Sequence, residues 1–144
     1  MAEDLNLAER RALADYQQKT YPALAADIAA TAADVPIEVE WTQIAIPGEA
    51  DHYSDDDFWT NVYFKPLITA LKSVAADEMG KQAVKAKLNK IVVTYNQETA
   101  PATAYEKGVK FDGGVLTINF TPYSNASDVQ ARADAIRKTL EANL

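Results

Sequence analysis

GVKFDGGVLTINF, at residues 108–120, is the stretch that decides the fold. Two β-prone segments flank a pair of glycines, and glycine tolerates the positive φ angles that a two-residue hairpin turn requires. The pattern therefore predicts a β-hairpin whose strands cover residues 105–111 and 115–121, with Gly113-Gly114 at the turn.

The register of this hairpin follows from side-chain pairing. A turn one residue earlier would set Phe111 opposite a glycine. The turn at both glycines instead sets Phe111 opposite Leu116 and Val109 opposite Ile118. Because a slip of one residue moves every side chain to the other face of a sheet, the pairing of apolar with apolar residues favours the second register.

Two further strands are predicted before the hairpin. Residues 91–95, IVVTY, are a continuous β-prone run, which is typical of a central strand. Residues 37–41, IEVEW, alternate apolar and acidic side chains, as in a strand with one buried and one solvent-facing side. Residues 42–53 and 96–104 lack periodicity and are predicted to be loops, the second of them mobile.

Helices are predicted where apolar residues recur every three or four positions. A lysine-rich segment from Lys81 to Leu88 predicts a short helix, and Asn125 is the predicted N-cap of the last helix. Three longer stripes show the spacing: Leu13, Tyr16, Thr20, Leu24 and Ile28; Trp59, Tyr63, Leu67, Ala70, Leu71 and Val74; and Val129, Ala133, Ile136 and Leu140.

Prolines and capping residues set the expected helix ends. Pro22 is expected to kink the first helix or to divide it at Thr20, and Pro66 to kink or split the second. The second helix is predicted to begin with Ser54 as its N-cap and to end near Gly80.

These elements predict an α+β fold in the order α-β-α-α-β-β-β-α. We expect a single domain over residues 1–144, with a mostly antiparallel sheet of four strands and helices packed on one face. The length suits one domain, and about half of the residues are apolar.

The composition excludes several classes of chemistry. The chain has no cysteine, so it has no disulfide, thiol nucleophile or cysteine-ligated metal. It has no glycine-rich phosphate-binding motif, and we predict no cofactor. No apolar run is long enough for a membrane span, and the acidic N-terminus is not a signal peptide as it stands. We therefore expect a soluble, cytoplasmic protein without membrane contact.

The net charge of −7 is unevenly distributed. Residues 1–60 hold 13 acidic and 3 basic residues, whereas residues 61–111 hold 4 acidic and 8 basic residues. An acidic chain repels nucleic-acid phosphates, so we expect no nucleic-acid partner. Two interpretations explain this asymmetry. We favour internal charge complementarity, and the other is an acidic patch that meets a basic partner.

The single histidine, His52, lies among carboxylates. Asp51, Asp55 and Asp57 accompany it, and carboxylates with an imidazole in one loop could bind a divalent cation. The spacing of a calcium-binding loop is missing, and the helix dipole favours aspartates at a helix start without any metal. We therefore predict no metal site, and these four residues are the candidates if one exists.

Glu38 and Glu40 are a weaker catalytic candidate. On one face of a strand they would lie about 7 Å apart, a separation found between the paired carboxylates of glycosidases. Any alternating strand with a solvent-facing side produces the same spacing. No nucleophile-elbow motif accompanies His52, so we predict no catalytic residue.

Aromatic residues are the candidates for an interaction surface. They are crowded between residues 41 and 64, where adjacent aromatics point in different helical directions and cannot share one narrow stripe. We expect most of them in the core and a few at a surface, and tyrosine and tryptophan are common in binding hot spots. The candidates are Trp41, Phe58, Phe64, Tyr105 and Tyr123.

Two functional hypotheses follow. The first is a small non-enzymatic binding protein, of undetermined oligomeric state, that meets a basic surface of a partner protein, as immunity and inhibitor proteins do. The alternative is a small-molecule or divalent-metal-binding domain, with or without enzymatic activity, that uses the acidic loop at residues 49–57. Its pocket would lie between the sheet and the 42–57 and 96–106 segments.

Overall fold

A computed structural model describes residues 5–122 and 125–144, and of Asp56 and Asp57 it describes the backbone alone. The α-helices are α1 (Leu7–Lys19), α2 (Tyr21–Thr31), the single turn α3 (Trp41–Ile44), α4 (Lys65–Val74), α5 (Glu78–Lys87) and α6 (Val129–Asn143). The strands are β1 (Ile37–Val39), β2 (Lys90–Thr94), β3 (Val109–Asp112) and β4 (Val115–Asn119). A π-helix covers Asp56–Phe64, and 3₁₀ turns cover Ala50–His52 and Tyr105–Gly108. Within the described ranges, no helix combines the length and apolar character that a membrane span requires.

The strands form a mixed sheet in the order β1-β2-β4-β3. β1 and β4 both pair with β2 in parallel, whereas β3 and β4 pair antiparallel. The α+β class and the four-stranded sheet are confirmed, but the prediction of a mostly antiparallel sheet is wrong. The long helical connection returns the chain to the same end of the sheet, and the second strand of the hairpin, not the first, pairs with β2.

The hairpin has the predicted register. Phe111 lies opposite Leu116 and Val109 opposite Ile118. Both turn glycines have positive φ angles, 58° at Gly113 and 85° at the next residue. The strands are shorter than predicted, because the chain forms a 3₁₀ turn before β3 and leaves the sheet after β4.

The two faces of the sheet differ in burial. β2 lies between β1 and β4, in the predicted central position. Ile91 and Val93 of β2 and Leu116 and Ile118 of β4 are fully buried. The intervening side chains of both strands are half-buried. One face therefore belongs to the core, and the other is accessible.

The N-terminal segment forms two helices that meet at Thr20, as Pro22 predicts. Pro22 lies in the first turn of α2, where its missing N–H would have no helical partner in any case. β1 is shorter than predicted and ends at Val39. Trp41 starts α3 instead of continuing the strand.

The second long helix begins at Asp56, and Asp55 occupies the N-cap position predicted for Ser54. Its first 9 residues form the π-helix, and α4 continues directly from Lys65. Pro66 lies in the first turn of α4. The proline therefore marks a junction between two helical geometries, which agrees with the predicted kink or split.

The π-helix is enclosed on two sides by aromatic rings. Trp59 and Phe64 pack against Trp41 of α3, with ring centroids 5.6 Å and 6.0 Å apart. On the other side Tyr63 stacks on Phe120, just after β4, and donates its hydroxyl hydrogen to the Phe120 carbonyl at 2.5 Å. Because it is enclosed on two sides, the π-helix can bury aromatic side chains that point in different directions around its axis. All members of the predicted stripe are buried: Trp59, Tyr63, Leu67, Ala70, Leu71 and Val74.

Gly80 lies inside α5 and does not end the preceding helix, which stops at Val74. A Cβ at position 80 would come within 1.6 Å of the Val74 carbonyl oxygen. The missing side chain therefore allows the start of α5 to approach the end of α4. Asp77 caps α5, accepting from the Gly80 N–H at 2.8 Å.

The last helix, α6, matches the predicted stripe but has a different start. Asp128 occupies the N-cap position, whereas Asn125 has a φ of 52° and donates from its side-chain amide to the Ala102 carbonyl. The prediction of Asn125 as the cap is therefore wrong. The buried residues of the stripe are Ala133, Ile136 and Leu140.

Gly113→Ala and Gly114→Ala should differ in their cost to stability. Both place an L side chain at a positive φ, which costs about 1–2 kcal/mol. Nothing lies within 4 Å of a Cβ at Gly113, whereas a Cβ at Gly114 would meet Asn89 Nδ2 at 2.2 Å. In urea denaturation, we expect Gly114→Ala to lower the free energy of unfolding by at least about 1 kcal/mol more than Gly113→Ala. Equal losses would contradict the described hairpin geometry.

Candidate functional site

A groove of about 800 Å³ lies at the edge of the sheet where β1 and β2 end. One wall follows β1 and the other follows β2, so parts of the 42–57 and 96–106 segments line the groove, but none of residues 49–57 does. Its volume is typical of small-molecule sites. The lining residues are Glu40, Gln43, Ala45, Ile46 and Pro47 on one wall, and Thr94, Tyr95, Asn96, Gln97 and Glu98 on the other.

Parallel pairing brings the two walls together. Since β1 and β2 run in the same direction, their carboxyl ends meet at one edge, which is where ligands bind in open α/β sheets. The Glu40 N–H donates to the Val93 carbonyl at 2.9 Å, one residue beyond β1. This bond fixes Glu40 beside the end of β2.

The wall that follows β1 is held by α1 and the core. The Tyr53 hydroxyl donates to the Ile46 carbonyl at 3.0 Å. The Gly48 N–H donates to the buried carboxylate of Glu9, which also accepts from the Asn6 N–H. These two backbone hydrogen bonds lower the pKa of Glu9, Asn6 having the larger effect. The ionised form of Glu9, which accepts both of these hydrogen bonds, is therefore favoured.

The wall that follows β2 is attached to the end of β4. Asn119, the last residue of β4, accepts from the Asn96 N–H at 2.8 Å and donates from its amide to Thr99 Oγ1 at 2.9 Å. The side chain of Asn96 in turn accepts from the Glu98 N–H at 3.0 Å. The segment expected to be mobile is thus hydrogen-bonded to the sheet, and Glu98 is positioned by this network.

The groove lining is acidic and rich in amides. Glu40 and Glu98 supply carboxylates, one on each wall, and Gln43, Asn96 and Gln97 supply side-chain amides. None of the lining residues, all of which the structure describes, is Lys, Arg or His. The groove therefore has the chemistry to accept hydrogen-bond donors that carry positive charge.

His52 contacts neighbouring carboxylates directly. Its Nδ1 lies 3.0 Å from the Asp55 carboxylate and its Nε2 lies 3.7 Å from that of Glu49. Asp51 is exposed on the same turn, and the Asp57 side chain lies outside the described residues. Among the side chains that the structure describes, no three from His, Asp and Glu form a group that could hold a metal ion. The described contacts of His52 are those of a surface ion pair.

The aromatic candidates for an interaction surface lie mainly in the core. Phe58, Phe64 and Tyr105 expose 3%, 0% and 5% of their surface, so the prediction of exposed rings is wrong for them. Trp41 is half-buried, and Tyr123 lies outside the described residues. Phe64 packs against Tyr16 of α1 and Tyr21 of α2, whereas Phe58 stacks on Tyr53 and Tyr105 packs against Phe120.

Glu38 and Glu40 do not act as a pair. Glu38 forms an ion pair with Lys90 of β2 at 3.0 Å, whereas Glu40 lines the groove. Lys72 and Asp27 form a second pair at 3.6 Å. Both ion pairs join the acidic residues 1–60 to the net basic residues 61–111, in agreement with internal charge complementarity.

Sequence reasoning missed Glu98 and the asparagines that position it. Asn96 follows closely after the β-prone run at residues 91–95, and Asn119 ends the last strand. Polar residues at the ends of successive strands lie at opposite edges of an antiparallel sheet but at one edge of a parallel sheet. Because we expected an antiparallel sheet, the polar residues at these strand ends did not predict a common site.

Comparisons of the chain with models of protein families, with curated proteins and with solved structures find no match in any of the three. The function is therefore inferred from the groove and its chemistry.

His52 should titrate above its ordinary value. The hydrogen bond with Asp55 raises the pKa of His52 above 6.5, and the charges of Glu49 and Asp51 raise it further by smaller amounts. Because folding favours the protonated ring, this stabilisation is fully present below the unfolded-state pKa and is lost as the pH rises through the folded-state pKa. Proton NMR of the single histidine measures the value directly. Asp55→Asn should lower the pKa more than Asp51→Asn, and equal effects would contradict the described contact.

Asn119→Ala should loosen the groove wall without unfolding the protein. It removes the hydrogen bonds to Asn96 and Thr99, each worth about 1 kcal/mol. We expect amide hydrogen exchange at residues 96–100 to become at least about fivefold faster. Asn143→Ala is the matched control, because it removes an asparagine hydrogen bond at the exposed end of α6. Unchanged exchange at 96–100 in the Asn119 variant would show that the network does not hold this wall.

Proposed function

We propose that the protein is a non-enzymatic binding protein whose groove receives a positively charged segment of a partner protein. The observation that carries this proposal is the groove lining, in which Glu40 and Glu98 stand on opposite walls and no basic residue is present. A carboxylate on each wall allows one cationic group to be approached from two sides.

A lysine or arginine side chain suits this lining. Its N–H groups are donors without acceptor capacity, and carboxylate and amide oxygens accept them. Tyr95, which is half-buried, also lines the groove, and an aromatic ring is a favourable neighbour for an ammonium or guanidinium group. Ala45, Ile46 and Pro47 provide apolar contact for the aliphatic stem of the same side chain.

The charge distribution of the chain supports the same kind of partner. Residues 1–60, which include the wall that follows β1, hold 13 acidic and 3 basic residues. An acidic surface attracts a basic partner over about one Debye length, roughly 8–10 Å at moderate salt. Association should therefore be fast at low ionic strength and should weaken as salt is added.

A second candidate is a small cationic molecule in place of a protein segment. The volume of about 800 Å³ favours it, because that volume encloses ligands of small-molecule size. The two candidates use the same carboxylates and differ in how much of the ligand extends outside the groove.

Replacing both groove carboxylates by amides should weaken the binding of a basic peptide. The probe is a capped tetrapeptide of alternating lysine and arginine, titrated into labelled protein and followed by NMR. We expect shifts at residues 40–47 and 94–98 in the wild type. Glu40→Gln with Glu98→Gln should weaken the binding at least about tenfold, because it removes charge-assisted hydrogen bonds.

Glu78→Gln with Glu141→Gln is the matched control. It removes the same charge from two exposed helix positions outside the groove, and it should bind the peptide like the wild type. An equal loss of affinity in both double variants would show that net charge alone drives the binding. It would contradict the groove as the binding site. Binding of free argininamide as tight as that of the peptide would favour the second candidate.

A further inference from the structure

A second concavity, of about 250 Å³, opens on the accessible face of the sheet. Strand residues form its base: Lys110 of β3 is paired with Thr117 of β4, and Thr94 of β2 with Asn119 of β4. We call this concavity the lysine pocket. Its remaining lining residues are Asn96, Thr99, Lys107 and Gly108.

The lysine pocket is supplied with hydrogen-bond donors. Thr99 Oγ1 accepts the amide hydrogen of Asn119, so its own hydroxyl hydrogen remains to be donated. Thr94 and Thr117 add two more hydroxyl groups. No Asp or Glu belongs to the lining, and every lining residue is described. The pocket lining is therefore basic, whereas the groove lining is acidic.

Lys107 and Lys110 also differ from lysines that have an internal partner. Lys90 forms an ion pair with Glu38 at 3.0 Å. Within residues 5–122 and 125–144, neither Lys107 nor Lys110 forms an ion pair with a described side chain. Both lysines line one pocket, so an anion bound there would be attracted by two positive charges.

We propose that the lysine pocket is a binding site for an oxyanion, a phosphate or carboxylate group, held by Lys107 and Lys110 and by threonine hydroxyls. Each oxygen of such a group is an acceptor without donor capacity when ionised, which matches the ammonium and hydroxyl donors of the lining. The base lies on paired strands, so the positions of Thr94, Thr117 and Lys110 are fixed by the sheet before any ligand binds.

The site is distinct from the acidic groove although the two adjoin. They share Thr94 and Asn96, but the carboxylates line the groove alone and the lysines line the pocket alone. An anion in the lysine pocket therefore requires neither Glu40 nor Glu98. The oxyanion site is tested independently of the proposed function.

The test is NMR titration with sodium phosphate and, separately, with sodium acetate, each at constant ionic strength maintained with sodium chloride. We expect phosphate to produce saturable shifts at Thr94, Thr99 and Thr117 that chloride does not produce. Lys107→Gln with Lys110→Gln should weaken this binding at least about tenfold, because it removes two charge-assisted contacts. Saturation by acetate as well would assign the site to oxyanions in general, carboxylates included, and saturation by phosphate alone would assign it to tetrahedral anions.

Lys65→Gln with Lys87→Gln is the matched control, because both lysines are exposed and neither lines the pocket. This variant should retain the wild-type affinity for phosphate, and the urea midpoints of both double variants should confirm that they fold. If the double variant at the pocket is unfolded, Lys110→Gln alone replaces it. Absence of saturable shifts with both anions, or equal losses in the pocket and control variants, would overturn the proposal.

Discussion

Pairing of β2 with a parallel neighbour on each side is the constraint on which the rest of the structure depends. It sends the carboxyl ends of β1, β2 and β4 to the same edge of the sheet. Glu40, Thr94 and Asn119, which lie far apart in the sequence, become neighbours there. An antiparallel β2 would have placed Asn96 and Asn119 at opposite edges, so the network that positions Glu98 could not form.

The second requirement is a helical layer that leaves one sheet face accessible. The π-helix belongs to this layer, and its aromatic rings pack against neighbours on two sides. Tyr63 is anchored to the chain just after β4, while Trp59 and Phe64 pack against Trp41 at the start of the groove wall. These contacts bury aromatic rings that could otherwise form a binding surface. They also support the wall on which Glu40 and Gln43 lie.

Whether a feature of the fold could be predicted from the sequence depends on how far apart in the chain the residues that determine it lie. The hairpin register follows from two glycines and the pairing of Phe111 with Leu116, all within a few residues, and it was predicted correctly. The helix stripes are equally local. The direction of β2 relative to β1 depends on a connection of about fifty residues, and no local pattern specifies it.

The candidate site shows the same limit. Glu40 was recognised as a solvent-facing acid, but it was paired with Glu38, its neighbour in the sequence. Its counterpart on the opposite wall is Glu98, which only the parallel sheet brings near. The lysines at 107 and 110 drew no attention because one precedes β3 and the other lies within it, and their shared pocket is visible only once β3, β4 and β2 are placed side by side.

The groove at the sheet edge and the lysine pocket on the accessible face adjoin at Thr94 and Asn96, although carboxylates line the first and lysines the second. Glu38 and Lys90 form an ion pair on this sheet, whereas the described ion pairs join Glu98 to neither Lys107 nor Lys110. Instead, Asn119 holds the chain between them with one hydrogen bond to Asn96 and one to Thr99. A neutral asparagine can make both bonds because its amide oxygen accepts one and its amide nitrogen donates the other, and it adds no charge to either concavity.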